Sequence, residues 1–306
     1  MHTAQGVPRV LGFSPVGGSM VLLRALLCLG LLGLSPLRAQ APLPATSEAA
    51  PQSPGLGDLL VAPTRLVFEG RKRSAELNLS NIGTSRATYR ISLIRMEMDE
   101  NGSIKELPFD HEAPESLRGL FRYSPREVTL EARESQTIRI QVRKPAELQA
   151  GEYRLHMMFR AVPPTAELAN PSPKPAGTKG LSIRLTPIYG IAIPVILRHG
   201  ETSAKVSLAD LNLDPSHQTL RLRLERQGNQ SVYGDLQVTL LPPSGPPLVM
   251  AEANGLAVYV PNAQRRLNLS LPKDLKWVPG SRLRVAYSLP PTEGGALLAE
   301  ALLPLP

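Results

Sequence analysis

Residues 181–198 read LSIRLTPIYGIAIPVILR. Every odd position from 181 to 197 is Leu, Ile, Pro, Tyr or Val, while Ser182, Arg184 and Thr186 are polar and Ile188, Ala192, Pro194 and Ile196 are apolar. A period of two is that of a β-strand, whose side chains point alternately to opposite faces. Proline has no N–H for a sheet ladder, so Pro187 and Pro194 argue for an edge strand or a break. Amides two residues apart point the same way, and these prolines have opposite parity. A bend or bulge near Gly190 is therefore expected. Leu181 to Pro187 reads as one-sided and close to an edge, and Ile188 to Leu197 as buried on both faces. An edge carrying Leu181, Ile183 and Leu185 in alternation either fills the core of its own sheet or pairs with another chain, and the pattern alone leaves both open.

The text on either side is of the same kind. Residues 59–70 (LLVAPTRLVFEG) read as one strand, followed by strands at 74–83, 87–102, 126–132, 136–144 and 151–162, with Asn101-Gly102 as a hairpin signal. Beyond Arg198 the candidates are 204–213, 219–226, 234–241, 248–253, 266–271, 282–289 and 297–303. Helical periodicity is confined to the N-terminal apolar run. Strands at this spacing predict an all-β protein of two sandwiches in tandem, over 58–198 and 199–306. Residues 163–180, rich in proline, read as a mobile loop before the quoted strand.

The first residues read differently. Arg24 precedes ten apolar or glycine residues, Ala25 to Leu34, and Ser35-Pro36 ends the run. Such a run is too short for a membrane core needing about 20 residues, and it matches a secretory signal. Residues 1–41 are therefore expected to be a signal peptide with an upstream extension, with Met1 or Met20 as the start and cleavage after Ala39 or Ala41. Residues 42–57 (PLPATSEAAPQSPGLG) read as a disordered linker. Export to the periplasm without stable membrane insertion follows. The single cysteine, Cys28, lies in the signal, so packing rather than disulfides must hold the exported chain. Loss of residues 1–39 removes Arg9, Arg24 and Arg38 and no acid, lowering the net charge from +8 to +5. This mild, dispersed charge with few aromatic residues argues against nucleic acid as a partner.

Catalytic patterns do not emerge. The histidines, at 2, 111, 156, 199 and 217, are isolated from one another. His156 alternates within a strand and reads as a surface or packing residue. There is no metal-ligand spacing, phosphate-binding glycine loop or nucleophile elbow, so neither enzyme activity nor a metal or cofactor is expected. Asp99 to Gly102 lacks the further ligands of a calcium loop and reads as a turn.

Several stretches, in order, resemble the PapD-like periplasmic pilus-assembly chaperones: APTRLVFEG (62–70), AELNLSNIGTSRATYRI (75–91), YSPREVTLEARESQTIRI (123–140), GEYRLHMMFRAVPP (151–164) and the loop and alternating strand at 163–187. The resemblance covers about 59–198; the second domain is placed by its position and strand pattern. It implies two immunoglobulin-like domains set at an angle and a non-enzymatic chaperone for pilin-like or fibre subunits. Such a chaperone lends a donor strand to its client and delivers it to an outer-membrane usher. It also implies that Leu181, Ile183 and Leu185 are the donor residues and that Arg65, by its Thr-Arg context, anchors the client's terminal carboxylate. The family's cleft lysine has no counterpart, because residues 185–197 contain neither Lys nor Arg; Thr186 or Tyr189 is left as an auxiliary hydrogen-bonding anchor. The competing reading is an exported structural or adhesive module that shares the sandwich without chaperone activity.

Overall fold

A computed structural model describes residues 58–108, 117, 119–163, 188–216, 218–272 and 277–305. The signal, the linker and the donor residues Leu181, Ile183, Leu185 and Thr186 lie outside the described residues. Ten strands come first: β1 (Leu59–Ala62), β2 (Leu66–Phe68), β3 (Ser74–Asn81), β4 (Ala87–Met98), β5 (Ile104–Leu107), β6 (Phe121–Ser124), β7 (Glu127–Leu130), β8 (Ser135–Val142), β9 (Gly151–Val162) and β10 (Gly190–His199). They make one sheet ordered β1-β3-β8-β6 and another ordered β2-β10-β9-β4-β5, with β7 also on β4. Seven follow: β11 (Ala204–Asp214), β12 (Thr219–Gly228), β13 (Val232–Leu241), β14 (Leu248–Val258), β15 (Gln264–Ser270), β16 (Arg282–Ser288) and β17 (Leu297–Pro304). Their sheets run β11-β12-β15 and β14-β13-β16-β17. The protein is thus an all-β, two-sandwich chain.

The alternation in the sequence is what fills each sandwich. On β8, Ile138, Ile140 and Val142 turn inward while Thr137, Arg139 and Gln141 face water; on β12, Leu220, Leu222 and Leu224 turn inward. The first core gathers these residues with Phe68, Leu77, Tyr89 and Phe159, and the second with Val238, Val285 and Tyr287. Each fully buried Leu, Ile or Phe contributes roughly 1.5–3 kcal/mol, so each sandwich has its own source of stability.

Two local readings are corrected. Residues 59–70 are two strands in different sheets: β1 pairs with β3, and β2 runs parallel to β10. The break falls at Pro63, which offers no N–H to continue the first ladder; its peptide bond with Ala62 is cis. β10 begins at Gly190 and its register with β9 runs unbroken from Gly190↔Arg160 to His199↔Gly151, so a bend expected near Gly190 falls at or before the first residue of the strand, and the 181–187 part lies outside the described residues. Ile188 and Tyr189 are exposed, at 54% and 58%, rather than buried. The Asn101-Gly102 turn forms as read: the Asp99 carboxylate accepts from the N–H groups of Asn101 and Ser103, and Gly102 has a φ of +85°.

Candidate functional site

The face of β10 that points away from the first core is the organising surface. Val195 and Leu197 enter that core, whereas Ile196, fully buried, joins Met98, Ala257 and Tyr259 in a smaller cluster where the second sandwich lies on the first. Val67 and Tyr233 pack against it. This covering sandwich is why the later even positions of the strand are apolar.

Three rows of side chains cross this face. The outermost at the junction contains Arg65, Pro194 and His156, since Leu66 pairs with Val195 and Pro194 with His156. The second contains Val67, Ile196 and Arg154, and the third Glu69, Arg198 and Glu152. Period two explains the set: Leu66 and Phe68, and Leu155 and Met157, point into the core, so their alternate neighbours point out.

The third row is a clamp. Glu152 has a side chain only 1% exposed and receives the Nε of Arg198 at 3.4 Å. It also accepts from the backbone N–H of Ser231 at 3.0 Å and from the Ser231 hydroxyl. Arg198 reaches Glu69 at 3.2 Å and donates to the Ser231 carbonyl at 3.3 Å. The Ser231 hydroxyl in turn accepts from the N–H of Val260 at 2.9 Å. A second tie joins the β4–β5 turn to β15, where Arg266 meets the Glu100 carboxylate at 2.9 Å and Gln264 donates to it at 2.7 Å.

The second row is sparsely satisfied. The Arg154 guanidinium stacks on the Tyr259 ring at 4.0 Å and donates from Nη2 to the Met96 carbonyl at 3.3 Å, while Nε and Nη1 are buried without a partner. Burial lowers its pKa from the usual arginine value, and the fields of Tyr259 and Glu152 raise it back in part. His156, 3% exposed, meets Tyr259 edge-on at 6.2 Å. Burial first, and the Arg154 charge second, push its pKa down to about 3. It is therefore a neutral packing residue near pH 7.

Arg65 stands at the mouth. Its guanidinium lies 4.7 Å from the centre of the Tyr233 ring and meets Glu293 of the second sandwich at 3.1 Å, with Nε buried and unpartnered. Beside it β10 opens. The Tyr189 carbonyl accepts from Ala161, so odd positions of β10 turn their polar groups to β9 and even positions turn theirs the other way. On that other side β2 reaches only Val195 to Leu197, and among the described residues no strand pairs with Gly190 to Pro194 there. Pro194 has its missing donor on this unpaired side, so the ladder to β9 loses nothing.

The structure thus brings Arg65 to the inner end of an open edge, while Tyr189 stands at the outer end. Five residues of strand separate Tyr189 from Pro194, about 17 Å at 3.3 Å per residue, so Arg65 and Tyr189 are not side by side. Glu152, Arg198, Ser231, Tyr233, Tyr259 and Glu293 were not singled out from sequence. The usable signal was Glu152, Arg154 and His156 at alternate positions of one strand, which calls for a polar partner on that face.

No protein-family model and no curated protein matches the chain. Among solved structures, the Pseudomonas aeruginosa CupB2 chaperone matches at 13% identity and a TM-score of 0.42, over 81% of this chain and 100% of that one. The Salmonella enterica SafA pilin in complex with the SafB chaperone matches at 15% identity and a TM-score of 0.41, over 81% and 96% of the two chains. The E. coli chaperone DraB matches at 14% and 0.39, over 81% and 98%. Among the described residues no helix is long and apolar enough to cross a membrane.

Proposed function

We propose that this protein is a periplasmic, non-enzymatic chaperone that holds an incomplete pilin-like or fibre subunit by adding a β-strand to it, and then passes it to an outer-membrane usher. The observation that carries the reading is the edge of β10 from Gly190 to Pro194, which no strand pairs with among the described residues, with Arg65 at its inner end. A strand edge gives an incoming chain main-chain partners, and alternate side chains give it pockets to fill. Arg65 supplies a cation for the client's terminal carboxylate. Residues 58–198 form the chaperone domain proper in this reading, and 199–306 form its companion, joined near Arg198 to Glu201.

Leu181, Ile183 and Leu185 fill the client's groove. Burying each contributes roughly 1.5–3 kcal/mol, and the total is comparable with the association and ordering costs of about 4–15 kcal/mol. Capture is then specific and reversible, as a carrier requires. The experiment is co-purification of fibre subunits with the exported protein. Ile183→Asp and Arg65→Ala are each expected to keep the native melting temperature and to lose the subunit; for Arg65 a charge-assisted contact contributes about 1.5–3 kcal/mol. Unfolding of the Ile183→Asp variant would show that this residue belongs to the protein's own core and would defeat the donor-strand role. Undiminished capture by Arg65→Ala would remove the anchor.

A further inference from the structure

Arg65 is already occupied by a carboxylate that belongs to the same chain. Glu293 ends a short 3-10 turn, Pro291–Glu293, between β16 and β17 of the second sandwich. The turn is stiff. Two prolines precede Glu293; the N–H groups of Glu293 and Gly295 donate to the Pro290 carbonyl at 2.8 and 3.2 Å, and that of Gly294 donates to the Pro291 carbonyl at 3.2 Å. At its base Leu289 donates to the Ala296 carbonyl at 2.8 Å. Glu293 is therefore presented to Arg65 by a shaped loop.

The pair is unequal. The Arg65 side chain is 11% exposed and the Glu293 side chain 46%. The sheltered cation rests on Tyr233, and its acid sits at the mouth of the site. The contact runs through one nitrogen and one oxygen, Nη1 to Oε1, and leaves Nε without a partner. A guanidinium and a carboxylate at their best form two parallel hydrogen bonds; this pair falls short of that.

Resting on the client-carboxylate reading of Arg65, we infer that Glu293 is an internal occupant of the anchor, holding the place of the client's C-terminal carboxylate and leaving when the client arrives. A sheltered guanidinium left without a counter-charge is unfavourable, and here the Arg154 charge acts on the same Tyr259 as the Arg65 charge. Glu293 supplies the neutralising charge in the free protein. Already half in water, it is readily displaced. Capture thus becomes an exchange of one carboxylate for another. The site favours a tail that ends in a free acid, and a tail ending in an amide cannot drive the exchange.

The test uses a synthetic peptide of alternating valine and threonine with a free C-terminal carboxylate, and its C-terminal amide twin, titrated into the native protein and into Glu293→Gln, Glu293→Ala and Arg65→Ala. Removing an internal competitor whose acid is half exposed should tighten binding of the acid form by about two- to five-fold and leave the amide form unchanged, with only a small fall in melting temperature from the lost counter-charge of Arg65. Unchanged or weaker binding of the acid form to both Glu293 variants overturns the inference. The control separates the two ideas. If the native protein does not prefer acid over amide, or Arg65→Ala keeps that preference, the anchor reading fails and takes this inference with it. If the preference is present and depends on Arg65 but is indifferent to Glu293, only the inference fails.

Discussion

Replacing Glu152 with alanine probes the tie between the sandwiches most directly. The wild-type carboxylate is 1% exposed and receives Arg198, the Ser231 N–H and the Ser231 hydroxyl. Its removal leaves the Ser231 N–H without its acceptor and takes from Arg198, 14% exposed, its sheltered counter-charge. Breaking a fully buried pair costs about 3–5 kcal/mol. Arg198 keeps Glu69 and the Ser231 carbonyl, so the expected loss is smaller, about 2–4 kcal/mol. In urea this lowers the midpoint by on the order of 1 M. Glu69→Ala is the built-in contrast: it removes the other partner of the same guanidinium, but one that is 64% exposed, and should cost less than about 1 kcal/mol. Far-UV circular dichroism follows both sandwiches, while Trp277, the only tryptophan, packs against the second core and reports that sandwich by fluorescence. In Glu152→Ala the two signals should separate, because the sandwiches no longer unfold together. Equal losses for Glu69→Ala and Glu152→Ala, or a loss below about 1 kcal/mol for the latter, would refute the view that burial gives this clamp its strength.

His156 predicts a response to acid. Its folded pKa, about 3, lies below the unfolded value of about 6.5, so the unfolded chain binds the extra proton first and stability falls as pH drops from about 6.5 towards 3. By pH 4.5 this amounts to about 2–3 kcal/mol, and His156→Gln should lessen the acid sensitivity in urea titrations at pH 7 and 4.5; an identical pH slope in the variant would refute it. Ile196→Ala hollows the cluster between the sandwiches and should cost about 2–4 kcal/mol, measured by chemical denaturation; a loss under about 1 kcal/mol would mean that the site collapses or is wet. Asn229 ties down the connecting segment by accepting from the Ser203 N–H and donating to the Glu201 carbonyl, so Asn229→Ala should speed proteolytic cleavage at 200–203, and an unchanged cleavage rate would show that those bonds do not restrain it.

The strands were legible because water stands on one side of most of them. Leu220, Leu222 and Leu224 alternate with Arg221 and Arg223, and no other arrangement hides the leucines while wetting the arginines. The quoted strand was harder. Its two apolar faces correctly called for cover on both sides, but what covers the second face, Tyr259 and Ala257 from a distant part of the chain, carries no local signal. Apolar character also misled at Ile188 and Tyr189, which lie before the strand and outside that cover. The split at Pro63 was missed because Leu59 to Ala62 and Leu66 to Phe68 have compatible patterns, and only pairing tells the sheets apart. Arg65 was singled out through its Thr-Arg context. Its partner Glu293 lies 228 residues later, where a Pro-Pro-Thr-Glu-Gly-Gly turn looks like any other hairpin end.

The parallel ladder between β2 and β10 also governs when the first sandwich is able to close. Where Glu69 meets Arg198 it joins residues 129 apart in sequence, and β10 stands between β2 and β9 in the sheet order. A nascent chain that stops short of Val195 leaves β2 with no strand to pair with, however well β3, β4, β8 and β9 have assembled. Loop closure over such a span slows folding. The sandwich is therefore finished last by β10, and until that strand arrives β2 is a short segment held to the rest of the sheet by its chain neighbours alone.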